Sequence, residues 1–147
     1  MTRPGFTMLE IAIVAAITII VATLGIPALR TGQKNTELTA NGRSLLNTLR
    51  LAQELAIGQQ IKHVVKIING TSSKYQLIKR DTTDTIIKEY NLNSGVSWGA
   101  ISGLTNSNEV EFNNTGAVTN YGSITLQNQN SKTFVLTIKT SGYVQIQ

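Results

Sequence analysis

Three patterns of apolar and polar positions follow one another along this chain. From Ile11 to Leu29 no charged side chain interrupts the run IAIVAAITIIVATLGIPAL. As a helix these 19 residues would span about 28 Å, close to the roughly 30 Å hydrocarbon core of a bilayer. A helix apolar on every side belongs in lipid or inside a bundle, not on a soluble surface. Beyond it, Leu38, Leu45, Leu49, Ala52, Leu55 and Ala56 recur at three- and four-residue steps, with Lys34, Glu37, Arg43, Arg50 and Glu54 among them. That spacing predicts an amphipathic helix that stops at Gly58. The two stretches join into one helix from about Phe6 to Ile57, with Gly32 and Gly42 expected to soften it.

From Ile61 the period drops to two, with turn residues between apolar runs. Strands are predicted at Ile61–Ile68, Lys74–Lys79, Thr85–Leu92, Glu109–Phe112, Ser123–Leu126, Thr133–Lys139 and Tyr143–Ile146. Asn69-Gly70 marks a turn between the first two. Asn91 to Asn108, rich in Asn, Ser and Gly, reads as a loop pinned to the core by Trp98. The expected class is α+β, a long N-terminal helical spine whose second half packs on an antiparallel β domain.

Composition narrows the chemistry. The chain has 147 residues and no cysteine, which removes disulfides, thiolate metal sites and thiol nucleophiles. The single histidine, His63, shares strand parity with Ile61, Val65 and Ile67 and reads as a packed side chain. Glu109 and Glu111 alternate with Val110 and Phe112, so they share the polar face of a strand and are not a catalytic pair. Asp81 and Asp84 lie in a Thr-rich turn without the spacing of a calcium loop. No phosphate loop or nucleophile elbow is present. The expectation is a protein that is not an enzyme and uses no cofactor.

A net charge of +5 and a pI near 9.7 raise the question of nucleic acid. Lys74, Lys79 and Arg80 form the densest basic group, followed by Lys62 and Lys66. A DNA-binding surface would require Lys74, Lys79, Arg80, Lys132 and Lys139 to converge on one face.

The uncharged run admits two plain readings, a cleavable signal peptide or a simple membrane anchor. It is long for the former, and no small-x-small cleavage pattern follows it. Glu10 separates the anchor from something more specific. It stands at the edge of the run, in Gly5-Phe6-Thr7-Met8-Leu9-Glu10. Buried in a membrane such a carboxylate costs on the order of 3 kcal/mol and calls for a cationic partner. A cut after Gly5 would make Phe6 the N-terminus, a positive charge one helical turn away and available to a neighbouring subunit.

Gly5-Phe6-Thr7-Met8-Leu9-Glu10 followed by the apolar run resembles the class III signal of type IV pilins and type II secretion pseudopilins. The resemblance implies cleavage after Gly5 on the cytoplasmic side by a prepilin peptidase, which then N-methylates Phe6. It implies that Glu10 pairs with the N-terminal amine of an adjacent subunit and sets axial register, and that Gly25 and Pro27 mark a helix kink. The segments are then a leader, 1–5; a membrane and filament-core helix, 6–29; the amphipathic second half, 30–58; and the β domain, 59–147.

Arg50 to Ile57 followed by a strand, with Phe112, Gly116, Gly122-Ser123-Ile124 and Gly142, is similar to H-type minor pseudopilins and related minor pilins. Implied partners are other pilin-like subunits, the peptidase, an inner-membrane assembly platform and, before assembly, lipid. The implied place is the bacterial inner membrane with the β domain outside the cytoplasm, then a filament, near its tip. The alternative is a minor pilin that binds DNA during uptake.

Overall fold

The computed structural model describes residues 5, 7–70, 73–104 and 108–147; of the side chains at 24, 25, 27 and 28 nothing is said. The chain divides into two compact units, Met1–Gln33 and Lys34–Gln147. One helix, α1 (Met8–Gln59), contributes to both.

In the first unit every described α1 side chain from Met8 to Thr23 is exposed, apolar ones included. The second unit explains the later spacing. Leu38, Leu45, Leu49, Ala52 and Ala56 form one buried stripe of α1. The described residues form eight strands: β1 (Lys62–Ile68), β2 (Lys74–Arg80), β3 (Asp84–Asn91), β4 (Val96–Ser102), β5 (Glu109–Phe112), β6 (Gly122–Asn128), β7 (Thr133–Ile138) and β8 (Val144–Ile146). They make two four-stranded antiparallel sheets, ordered β3-β2-β1-β5 and β4-β6-β7-β8. Side chains from both sheets and the helix stripe merge into one core, among them Val65, Leu77, Phe112, Ile124, Leu126 and Leu136. The predicted α+β class, a long helix on antiparallel sheet, is the one observed.

Three expectations need correcting. The helix passes through Gly58 and ends at Gln59. Its stop is Gln60, which takes the left-handed conformation (φ 57°) and donates from its side-chain amide to the Ile57 carbonyl at 2.7 Å. Gly42 is a contact rather than a soft spot, since a Cβ there would lie 2.3 Å from the Phe134 ring. The loop expected over Asn91–Asn108 contains β4. Its alternation was hidden by a break in register between Trp98 and Ile101, where Gly99 lies against Thr125. Trp98 is nevertheless pinned as expected, buried and donating from Nε1 to the Ile68 carbonyl at 3.2 Å. The strands form two sheets because β5 returns to pair with β1 rather than with its sequence neighbours.

His63 is fully buried, as its parity implied, with Nδ1 2.9 Å from the Ile61 carbonyl. Loop closures come from polar side chains. Asn128 Oδ1 accepts from the backbone of Asn130 and Lys132, while its amide donates to Asn35 Oδ1 at 2.9 Å. Gln53, on the helix, donates to the Gly116 carbonyl at 2.9 Å and to that of Ser141 at 3.5 Å. One side chain thereby ties the turn after β5 and the turn between β7 and β8 to α1.

Candidate functional site: the N-terminal helix and its carboxylate

Thr7 is the residue from which α1 starts. Its carbonyl accepts from the amides of Glu10 at 3.1 Å and Ile11 at 3.2 Å, and its hydroxyl also accepts from Glu10 N at 3.2 Å. This is the N-cap half of a Thr-x-x-Glu capping box, a local signal readable in the sequence and passed over above. Gly5 lies before the cap, exposed and with open space around its Cα. The Gly5–Phe6 peptide thus precedes the hydrogen-bonded helix. Phe6 itself lies outside the described residues.

Glu10 occupies the first turn, where a negative charge is favoured by the helix dipole. Its side chain is exposed, and among the described residues its carboxylate makes no ion pair. Around and beyond it stand Leu9, Ile11, Ile13, Val14, Ile17, Ile19, Ile20 and Val21, all exposed. The only hydroxyls in Ile11–Thr23 are Thr18 and Thr23. They donate to the carbonyls of Val14 at 2.8 Å and Ile19 at 2.7 Å. Bonded back onto the helix, they add no unsatisfied donor to its apolar surface.

Among the described residues no helix is long and apolar enough to cross a membrane. The fully described part of the uncharged run, Ile11–Thr23, covers 13 residues, or about 20 Å. Gly25 and Pro27 fall inside α1, and Pro27, having no amide hydrogen, leaves the Thr23 carbonyl without its helical donor.

The basic group does not converge. Lys74 and Arg80 share one face of the first sheet by register, whereas Lys79 alternates onto the other. Lys74 is paired with Glu89 at 3.0 Å. Arg80 reaches Asp84, Glu109 and Glu111, each at 3.0 Å. Lys62 pairs with Glu111 and Lys66 with Glu109, also at 3.0 Å. Lys132 and Lys139 lie in the turns immediately before and after β7 of the second sheet. The positive charge read along the sequence is therefore largely cancelled across strands. Beneath this lattice Val64 and Ile78 are buried on the sheet face away from the main core. Among the described residues no group of His, Asp and Glu could hold a metal ion.

Electrostatics make this lattice acid-sensitive. Burial pushes the Glu111 carboxyl up, but hydrogen bonds and charge from Lys62 and Arg80 outweigh it and hold the group below its usual range. The hydrogen bond from Arg80 does the same for Asp84, and those from Gln76 and Lys74 for Glu89. A carboxyl depressed in the folded state stabilises the fold at neutral pH, and that stability is lost as pH falls below about 4. Arg80→Met is expected to cost about 2 kcal/mol at pH 7. That is less than for a fully buried pair, because Arg80 is 28% exposed. The variant should also lose stability less steeply between pH 5 and pH 3. Thermal unfolding across that range checks both; an unchanged acid slope would remove Arg80 from the account.

No protein-family model matches this sequence, and no curated protein matches it. Solved structures do match its fold. The type IV minor pilin FimU of Pseudomonas aeruginosa aligns with a TM-score of 0.63 at 11% identity, over 77% of this chain and 90% of that one. The minor pseudopilin EpsH from the type 2 secretion system of Vibrio cholerae aligns with a TM-score of 0.64 at 15% identity, over 76% of this chain and 96% of that one. The fold is that of minor pilins and minor pseudopilins, as the N-terminal motif and the glycine pattern led us to expect.

Proposed function

We propose that this chain is a pilin-like subunit of a type IV pilus or type II secretion pseudopilus, made as a precursor and assembled through its N-terminal helix. The observation that carries the reading is a helix segment, Met8–Thr23, exposed on every side with apolar residues, its hydroxyls folded inward, and a first-turn carboxylate that makes no ion pair among the described residues. Such a surface is stable only when covered, by lipid before assembly and by neighbouring helices afterwards.

Residues 1–5 are the leader, and prepilin peptidase cuts between Gly5 and Phe6 and methylates the new amine. The helix over 6–29 holds the chain in the bacterial inner membrane, with the β domain outside the cytoplasm. On assembly Glu10 pairs with the Phe6 amine of an adjacent subunit, and the donor missing at Pro27, with Gly25 in the same turn, lets the helix adjust. Positions near the filament tip suit a subunit with the fold of minor pilins. The chain carries no catalytic step; the work of assembly comes from the platform and its motor.

N-terminal sequencing and intact mass of the membrane-fraction protein test this directly. The expected species starts at methylated Phe6 and disappears when the peptidase gene is deleted. An intact Met1 in peptidase-positive cells, or a cut beyond Leu29, would reject the processing and with it the assembly reading.

A further inference from the structure

The outer faces of the two sheets differ in kind. All six described salt bridges lie on the first sheet and the turn at Asp84. The second sheet contains no Asp or Glu in any strand, and residues 113–147 contain none at all. Apart from Val135 on β7, its outward positions are hydroxyls and amides: Ser123, Thr125 and Gln127 on β6, Thr133 and Thr137 on β7, and Gln145 on β8.

At one end this face carries an aromatic row. Gly122 pairs with Ile138, and Ile138 with Val144. One step outward the same register aligns Tyr121, Lys139 and Tyr143, and Lys139 N donates to the Tyr143 carbonyl at 2.9 Å. Tyr121 is 59% and Tyr143 55% exposed, high values for large aromatic side chains. The Lys139 ammonium sits 5.7 Å from the Tyr143 ring centre. Beside them is a shallow depression of about 540 Å³ lined by Ser102, Tyr121, Ser123, Thr137 and Lys139. Its backbone is tightly set: a Cβ at Gly122 would overlap the Ser102 carbonyl, and one at Gly103 would lie 2.5 Å from the Tyr121 carbonyl.

We propose that this depression is a glycan site that takes an acidic polysaccharide, one whose sugars bear carboxylates. Sugar rings present C–H faces that stack on aromatic rings, and their hydroxyls match Ser, Thr and Gln as mutual donors and acceptors. Lys139, with no carboxylate on its sheet, supplies the counter-charge to a uronate. The absence of acidic side chains leaves nothing to repel that group. A nucleic acid fits less well, because the row holds a single cation where a phosphate chain needs several. The strand pairing next to them sets the spacing of the two tyrosines along the backbone before ligand arrives. This site is independent of Glu10 and of the processing of the leader.

The test is calorimetric titration of the full-length protein in detergent with oligogalacturonate, neutral dextran oligomers and single-stranded DNA. The expected result is saturable binding of oligogalacturonate alone. Tyr143→Ala and Lys139→Gln should each weaken it about tenfold, while Tyr143→Phe keeps it and all three variants melt as the parent does. No saturable binding of oligogalacturonate overturns the proposal. So does binding that survives both Tyr143→Ala and Lys139→Gln, which would place the ligand elsewhere. Preferential binding of DNA at the same residues also overturns it, in favour of a nucleic-acid site.

Discussion

Glu10→Ala is expected to leave the precursor processed at Gly5 and present in the membrane at parent levels, yet to reduce its incorporation into filaments by on the order of tenfold or more. Glu10 sits in the first turn with its amide already bonded to Thr7. Removing the carboxylate therefore leaves the amide-to-threonine cap in place. Loss of the favourable charge at the helix N-terminus costs only about 0.5 kcal/mol. In a bundle of apolar helices the same deletion would strand the amine of a neighbouring subunit without its counter-charge, a far larger penalty. Glu10→Gln discriminates further, since it keeps shape and hydrogen bonding but not charge, and should behave like the alanine variant. Membrane fractionation and sheared-filament blots read the two quantities separately. If both variants assemble at parent levels, Glu10 is incidental and the helix is a simple tether.

The largest expected effect on stability is at Gly142. This residue lies in the β7–β8 turn with φ +82°, and a Cβ there would stand 2.0 Å from the Gly116 carbonyl oxygen and 2.4 Å from Gln53 Nε2. Alanine at Gly142 thus incurs left-handed backbone strain of roughly 1–2 kcal/mol. It also forces apart the contacts by which Gln53 joins the Gly116 and Ser141 carbonyls to the helix, at roughly 1–2 kcal/mol more. A combined loss of about 3 kcal/mol lowers the melting temperature of a unit this size by on the order of 10 °C. Gly58 is the internal control. It is exposed and helical, with nothing within 4 Å of the added methyl, so Gly58→Ala should stabilise by about 0.5–1 kcal/mol. Calorimetry of the three chains side by side is sufficient. A Gly142→Ala chain that melts within a degree or two of the parent would mean that the two turns do not meet as described.

What the sequence made legible was whatever has a period. The stripe from Leu38 to Ala56 and the core-facing residues of β1, β2, β5 and β7 follow from the helical and strand periods, and they appear where expected. What escaped was non-periodic or non-local. β4 hid behind its irregular register at Gly99, and the helix end was assigned to a glycine when a glutamine side chain supplied the cap. Most telling is the basic group at Lys74, Lys79 and Arg80. No reading along the chain could foresee its neutralisation, because Glu109 and Glu111 arrive through β5 pairing with β1, about thirty residues downstream. The Gly5-to-Glu10 motif was legible as a motif. The inward hydroxyls of Thr18 and Thr23 became visible only once the helix was built.

One edge of the first sheet has a bearing on crowding. β3 is eight residues long, exposed along most of its length, and hydrogen-bonded on one side only, with Ile86 and Ile87 open to solvent. Strands of that kind recruit others of their kind and seed aggregates wherever chains are held at high local density. Here the register breaks between Leu77 and Ile78, so that Ile87 falls out of the ladder, and Asp84, Lys88 and Glu89 interrupt the apolar surface around it. A template that is kinked and charged is a poor one for edge-to-edge pairing. Such an edge resists pairing with its own kind at concentrations where a flat and neutral one would precipitate.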